Sequence, residues 1–279
     1  MKKENVIIVA IDFSKCSIKA LEYAVSIANN IKSNILIVYV EKLQTTDSIY
    51  SKNGHECRLK IVDNLDKLVA KYQPLLKKGK VEYKIRKGKV HKEIANQAKY
   101  SDAYMIVAGT HGISGFEEYF IGSNAFRIVT SSSIPVITIR EDFIFKQKHI
   151  KKIVLPIDSS AETRQKVPFA VEMAKHFNSE IHIIGIYSTN IKAVKNYIES
   201  YTKQAVEYIE KRGIVCKSEY KFCKNITEGI IEYSQEIKSD LVIIMSEQES
   251  STKDIWLGRS AQQMVNHSPI PVLTLNSKD

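Results

Sequence analysis

The stretch "NVIIVAIDFS" at residues 5–14 decides the fold, because a version of it returns as "KIVLPIDSS" at residues 152–160. In both copies an apolar run of strand length ends in an aspartate, and a serine follows within two residues. Three further segments recur in the same order: residues 34–42 as 180–188, 101–109 as 239–247, and 132–140 as 267–275. Segments that recur in order along a chain predict two copies of one domain.

Within each copy, short runs rich in valine and isoleucine alternate with longer stretches of helical period, which is the pattern of βαβ units. The candidate strands are "VIIVAI", "ILIVYV", "VEYKI", "YMIVA" and "PVITI", then "KIVLPI", "IHIIGI", "KSEYKF", "LVIIM" and "PVLTL". The pattern predicts an α/β protein of two tandem doubly wound domains, each a five-stranded parallel sheet of order 3-2-1-4-5 with helices on both faces. A polar, basic stretch at 141–152 separates the copies, so the expected domains are residues 1–141 and 150–279.

The composition is that of a soluble globular protein, with 44% hydrophobic and 26% charged residues among 279. No apolar run approaches the roughly 18 residues of a membrane-spanning helix, so no membrane association is expected. The four cysteines form no CxxC pair, and "GHEC" at residues 54–57 is expected in an exposed loop. Neither a zinc site nor a disulfide framework is indicated, and a cytoplasmic location is favoured.

Much of the net charge of +10 is local, because residues 77–92 contain eight lysines or arginines and only one acid, Glu82. In this run Val81, Tyr83 and Ile85 alternate with charged residues, as in a half-buried edge strand whose lysines prevent aggregation. A polyanion-binding patch is the alternative interpretation. No aromatic stacking platform accompanies the run, so nucleic acid is not expected as a partner.

Four of the eleven glycines fall in "GTHGISGFEEYFIGS", residues 109–123, between a candidate strand and a candidate helix. Ligands of open parallel sheets bind where the strand order reverses, and there Asp12 ends strand one and Gly109 ends strand four. Gly122 followed by a capping serine, Ser123, would offer backbone N–H groups and the positive end of a helix to a phosphate. A flexible loop with glycine at its turns is the alternative. The chain contains neither GxxxxGK[ST] nor GxGxxG, so a P-loop and a dinucleotide fingerprint are excluded.

The glycine spacing in this loop matches G-x2-G-x9-G-[ST], the nucleotide signature of the universal stress protein family. The chain resembles two such domains in tandem over nearly its whole length. The resemblance implies that the first copy binds ATP, with or without magnesium. It implies a site in which Asp12 lies beside the nucleoside, Val40 meets the adenine, Gly109, Thr110, His111 and Gly112 follow the ribose and phosphates, and Gly122, Ser123 and Asn124 receive the phosphate tail.

This chain departs from the usual family pattern at a few positions of the loop. Ile113 replaces a residue that is often basic, and Asn124 replaces a small one. Glu117 and Glu118 add negative charge, and we expect both to face solvent.

The second copy lacks the glycine-rich loop. Glu247 stands where Gly109 stands, no glycine follows until Gly258, and Arg259 replaces the serine. We therefore expect one nucleotide per chain, in the first copy. The resemblance further implies that the two last strands, "PVITIR" and "PVLTL", pair and make the halves an intramolecular pseudo-dimer; association of whole chains into a homodimer stays open.

A nucleotide-binding stress-response or signalling module is the function that these patterns favour, and no catalytic residue is assigned. One alternative is a slow ATPase or autophosphorylating enzyme that would use His111 and Arg127, although fast phosphoryl transfer also needs a metal and a positioned base. The other alternative is a nucleotide-independent module that binds a protein or a polyanion.

Overall fold

The computed structural model describes residues 5–41, 52–110, 122–144, 149–246 and 258–277. In the first half, strands and helices alternate along the chain as β1 (Val6–Ile11), α1 (Lys15–Ile31), β2 (Asn34–Glu41), α2 (Lys52–Tyr72), β3 (Val81–Lys87), α3 (Val90–Tyr100), β4 (Met105–Gly109), α4 (Ser123–Ser131) and β5 (Val136–Ile139).

The second half repeats this order. Its elements are β6 (Lys152–Ile157), α5 (Val167–Phe177), β7 (Glu180–Tyr187), α6 (Lys192–Glu210), β8 (Cys216–Phe222), α7 (Ile226–Glu236), β9 (Leu241–Ser246), α8 (Arg259–His267) and β10 (Val272–Asn276). One predicted location is wrong: residues 54–57, expected in a loop, belong to the first turns of α2. The polar composition of this segment suits a solvated helix start as well as a loop, so composition alone could not separate the two.

The strands form one ten-stranded sheet in the order β3-β2-β1-β4-β5-β10-β9-β6-β7-β8. Each half has the predicted order 3-2-1-4-5, and all pairs inside a half are parallel. Strand β1 shows why parallel pairing suits these sequences, since its central residues Ile7, Ile8 and Val9 are all fully buried. Strands that are buried on both faces are continuous apolar runs.

The two halves join through their last strands, as the pseudo-dimer interpretation predicts. Strands β5 and β10 pair antiparallel, with Ile137 opposite Leu273 at the centre of the joint. Beside the joint, Arg140 Nη1 donates to the backbone oxygen of Asn266 at 3.0 Å. The pairing covers two edges that would otherwise be open to aggregation.

Helices cover both faces of the sheet and create two hydrophobic cores. The first core lies under α1, α2, α5 and α6 and the second under α3, α4, α7 and α8. Helix α1 illustrates the local rules: the Ser14 side chain caps it by accepting from Ser17 N–H, and Lys32 ends it in the left-handed conformation. The loops that follow the strands therefore meet at the edge of the sheet formed by the carboxyl ends of the strands.

Candidate functional site

The carboxyl ends of β1 and β4 separate and form a crevice. Their ladder ends at Val9 opposite Val107, whereas β1 stays paired with β2 as far as Ile11, and β4 stays paired with β5 as far as Gly109. The two strands therefore part at the point where the strand order reverses. In doubly wound sheets this is where ligands bind.

Asp12 lies at this crevice, directly after β1, and its side chain is half-buried. Its Oδ1 accepts hydrogen bonds from the Ser14 backbone N–H at 3.0 Å and from Ser14 Oγ at 2.6 Å. Between them, Phe13 has a φ of 66°, a left-handed conformation that costs a non-glycine residue about 1–2 kcal/mol. The Phe13 ring packs 5.2 Å from that of Tyr39. Packing thus holds a strained turn that fixes the Asp12 carboxylate at the crevice.

Gly109 ends β4 so close to the start of α1 that no side chain fits there. A Cβ at this position would lie 2.7 Å from Cys16 Sγ, 2.9 Å from the Cys16 carbonyl carbon and 3.0 Å from its oxygen. The resemblance places Gly109 along the ribose and phosphates, and the structure shows that its lack of a side chain also allows β4 to pack against the backbone of α1. The sequence did not reveal this contact, because Cys16 lies about 90 positions away.

Hydrogen bonds join the two ends of the glycine-rich loop. The Thr110 N–H donates to Ile139 O at 2.9 Å, and the Gly122 N–H donates to Thr110 O at 2.7 Å. Thr110 itself is buried. Residues 111–121, which include the predicted site residues His111 and Gly112, lie outside the described part of the chain. The start of α4 is therefore held beside the end of β4.

The helix after the loop begins differently from the prediction. Gly122 is the N-cap of α4, and no side-chain hydrogen bond caps the helix among the described residues. The predicted capping residue, Ser123, is instead the first helical residue, and both it and Asn124 are exposed. Because the first N–H groups of a helix have no acceptor within the helix, α4 directs backbone donors out of its first turn.

Val40 completes the predicted set and lies near the end of β2, beside β1. Its side chain is buried in the core under α3 and α4. The ends of β1, β2 and β4 and the start of α4 thus place Asp12, Val40, Gly109 and Gly122 along one edge of the sheet. This edge carries a carboxylate, the ends of three strands and a helix N-terminus, which are groups that can hold a nucleoside and an anion.

The contact between Gly109 and Cys16 leads to a stability prediction. Gly109→Ala should lower the free energy of unfolding by about 1–3 kcal/mol, because overpacking costs this much in a close-packed interior. Adding Cys16→Ala should restore only part of the loss, since that change removes the sulfur but not the carbonyl group. Urea unfolding of the single and double variants tests this. Unchanged stability of Gly109→Ala together with weaker ligand binding would assign Gly109 to the ligand instead.

The second half has a corresponding crevice, but a different side chain lies beneath it. In the ladder between β6 and β9, Ile153 lies opposite Leu241 and Val154 lies opposite Val242, where the ladder ends. The carboxyl ends of these two strands therefore also part. Asp158 Oδ1 accepts from the Ser160 N–H at 2.7 Å, as Asp12 does from Ser14.

Behind this second crevice lies a buried lysine. Lys166, which stands where the first half has Ala20, is 2% exposed, and its Nζ donates to Thr163 Oγ1 at 2.9 Å. The same oxygen accepts from the Asp158 N–H at 3.2 Å. Sequence reasoning missed this residue, although alignment of the two copies shows a lysine opposite an alanine on the buried face of a helix. The two crevices therefore differ in the side chain beneath the turn as well as in their loop sequences.

The universal stress protein family's sequence model matches residues 5–140 and 149–276, which is most of the chain. The chain belongs to the universal stress protein family. It is similar to universal stress protein YxiE of Bacillus subtilis, with 32% identity over 155 residues that cover 49% of this chain and 99% of that protein. It is also similar to universal stress protein Slr1230 of Synechocystis, with 24% identity over 62% of this chain and 58% of that protein.

A solved structure extends the similarity to both halves. A universal stress protein from Archaeoglobus fulgidus superposes with a TM-score of 0.78 and 21% identity, over 99% of this chain and 97% of that one. At this identity the likeness shows the fold. Within the described residues of this universal stress protein, no helix is long and apolar enough to cross a membrane, and no three or more His, Cys, Asp or Glu side chains group as a metal site.

A second cluster of titratable groups in this universal stress protein lies away from both crevices. His182, buried on β7, has its Nε2 3.0 Å from Glu180 Oε1 and its Nδ1 3.4 Å from the Tyr233 hydroxyl. Glu219 Oε1 lies 3.4 Å from the same hydroxyl. Burial, with the charge of Glu219 adding to it, raises the pKa of Tyr233 to about 12, so its hydroxyl is protonated at neutral pH. The cluster links β7, β8 and α7.

Glu180 gives this cluster a predicted pH dependence. The neighbouring His182 ring, helped by Lys217, lowers the pKa of Glu180 below the usual 4.5. A carboxylate with a lowered pKa in the folded state stabilises above its unfolded pKa, and this stabilisation is lost as the pH falls through the folded value. The stability difference between wild type and Glu180→Gln should therefore shrink from pH 7 towards pH values below about 4.5.

The matched control is Glu232→Gln, which breaks an exposed pair with Lys221. We expect little stability change for it at either pH, because exposed pairs contribute little. Chemical unfolding of the three proteins across the pH range gives both comparisons. A difference for Glu180→Gln that widened towards acid would contradict the assigned sign.

Proposed function

We propose that this universal stress protein binds ATP in the crevice of its first half and acts as a stress-response or signalling module. The observation that carries the proposal is the hydrogen bond from the Gly122 N–H to Thr110 O. It holds the first turn of α4 beside the end of β4, next to the crevice at which Asp12 lies. A carboxylate and a helix N-terminus at one crevice match the two ends of a nucleotide, since the first can accept from ribose hydroxyls and the second can donate to phosphates.

In this proposal, different groups of the chain bind different parts of the nucleotide. Asp12 accepts from the ribose, the backbone at Val40 meets the base, and Gly122, Ser123 and Asn124 receive the phosphates, with the Ser123 and Asn124 N–H groups as the donors. The signature spacing of the loop assigns Gly109, Thr110, His111 and Gly112 to the region between ribose and phosphates. Magnesium would enter with the phosphates and would partly neutralise their charge, and we assign it no protein ligand.

The two halves have different roles in the proposal. Residues 1–141 form the nucleotide-binding domain, and residues 150–279 form a partner domain that completes the sheet through β10. Two differences between the crevices support a single nucleotide per chain. Lys166 is buried beneath the second crevice, where the first half has Ala20, and Glu247 replaces Gly109 at the start of the loop. The proposal includes a cytoplasmic location, which four cysteines without disulfides support.

Calorimetric titration of the full chain with ATP and magnesium tests the proposal, after mass spectrometry has shown that no nucleotide was retained during purification. We expect one site per chain. Two equivalent sites would contradict the division between the halves, and the absence of both heat and retained nucleotide would contradict ATP binding. Release of ADP measured in the same samples separates a binding module, which should turn over little or no ATP, from the enzyme alternative.

A further inference from the structure

The edge strand β3 and the helix α3 form a strongly basic surface, which we call the β3–α3 surface. Its basic and aromatic side chains are those of Lys84, Arg86, Lys89, Lys92, Lys99 and Tyr100. The four lysines and the tyrosine are exposed. The surface lies at one end of the ten-stranded sheet, because β3 is the first strand in the order and, among the described strands, pairs with β2 alone.

The alternation of β3 explains why the charges gather on one side. Tyr83 and Ile85 pack against the core beneath α2, so Glu82, Lys84 and Arg86 lie on the other face, which α3 covers. Arg86 Nε is 3.5 Å from Glu93 Oε2, so one of the positive charges is already paired. The lysines remain as the dominant charges of this face.

Tyr100, the last residue of α3, is an aromatic side chain at this surface. It is 82% exposed, and Lys84 Nζ lies 5.5 Å from the centre of its ring. Such exposure means that the ring adds little to the core. The expectation against nucleic acid rested on the lack of an aromatic residue accompanying the basic run, but the fold brings Tyr100 to Lys84 from sixteen positions further along the chain.

The electrostatics of a neighbouring residue agree with a positive surface. Burial and then the charges of Arg127, Lys92 and Lys89 lower the pKa of His91. These cations come from α4 and from the start of α3, so the positive potential reaches from the edge strand towards the helices behind it.

We propose that the β3–α3 surface binds single-stranded nucleic acid, with its lysines contacting phosphates and Tyr100 stacking on an unpaired base. Lysines flanking an exposed ring suit an alternation of phosphate and base, which is how proteins bind single strands without sequence preference. An acidic polypeptide would engage the lysines but would not require the ring. The surface is distinct from the nucleotide crevice, so the proposal goes beyond ATP binding.

The test is fluorescence anisotropy of a labelled 20-nucleotide oligo(U) with the full chain at low salt. Tyr100→Ala should weaken binding about 30-fold, the middle of the range for loss of one stacked base, and Tyr100→Phe should restore it. Lys84→Gln should reduce the slope of log affinity against log salt by about 0.7, the value for one phosphate contact on a single strand. Tyr197→Ala is the matched control, because Tyr197 is a 55% exposed tyrosine in the other half.

Two results would overturn the proposal. The first is no binding at low salt. The second is binding that Tyr100→Ala leaves unchanged and that polyglutamate displaces as well as unlabelled oligo(U) does, which would indicate an acidic polypeptide or general attraction of polyanions. Saturating ATP and the Gly122→Val variant should both leave oligo(U) binding unchanged. Unchanged oligo(U) binding in both experiments would show that this surface is separate from the crevice. Failure of one proposal would then not imply failure of the other.

Discussion

Replacing Gly122 with valine is expected to weaken ATP binding at least about 100-fold without unfolding the protein. A hydrogen bond to a charged group contributes about 1.5–3 kcal/mol, so a side chain that keeps phosphates away from two N–H groups of α4 costs about 3–6 kcal/mol. That loss corresponds to about 100-fold or more in affinity. The backbone tolerates the change, because Gly122 has φ −56° and ψ 139°, an extended conformation that valine readily adopts.

The second half provides the control for this experiment. Gly258 caps α8 as Gly122 caps α4, with nearly the same dihedral angles of −55° and 150°. Gly258→Val imposes the same change on the other crevice, and we expect it to leave ATP affinity unchanged. Calorimetry of both variants, with their thermal unfolding measured in parallel, makes the comparison. Equal losses of affinity in the two variants would mean that the sites are equivalent, and no loss in either would remove α4 from the phosphate site.

The topology could be predicted from the sequence because the signals that determine it are local and occur twice. Apolar runs such as Val6–Ile11 have strand length, and the helical stretches between them require parallel neighbours. Repetition then predicted the same order for the second half, whereas the pairing of the last strands was implied by the family resemblance. Asp12 could be placed at the switch point because it follows the apolar run directly.

Features that depend on contacts between distant segments could not be predicted in this way. Position 109 requires glycine because it lies against Cys16 of α1. The tyrosine beside Lys84 is Tyr100, which belongs to α3. The predicted cap at Ser123 is one position away from the observed cap at Gly122, which is an error that capping preferences alone cannot avoid because glycine and serine both occupy N-caps. Lys166 is recognisable only when the two halves are aligned.

Leu273→Ala is expected to cost about 2–5 kcal/mol of the free energy of unfolding, the usual range for a buried leucine. Leu273 is fully buried and lies opposite Ile137, the central pair of the antiparallel joint. The cavity would therefore open between the two halves rather than inside one of them. Leu59→Ala removes the same atoms from a side chain that is 56% exposed, and should change stability by no more than about 0.5 kcal/mol.

Hydrogen exchange tells whether the joint stabilises both halves. Leu241→Ala is the control, because Leu241 is equally buried but lies in β9, inside the second half. If the shared sheet couples the halves, Leu273→Ala should reduce amide protection in β1 and β4 of the first half more than Leu241→Ala does at matched loss of stability. Equal protection of the first half in the two variants would mean that each half is stable by itself. The antiparallel pair would then connect two independent domains, and a nucleotide bound in the first crevice could not influence the second half through the sheet.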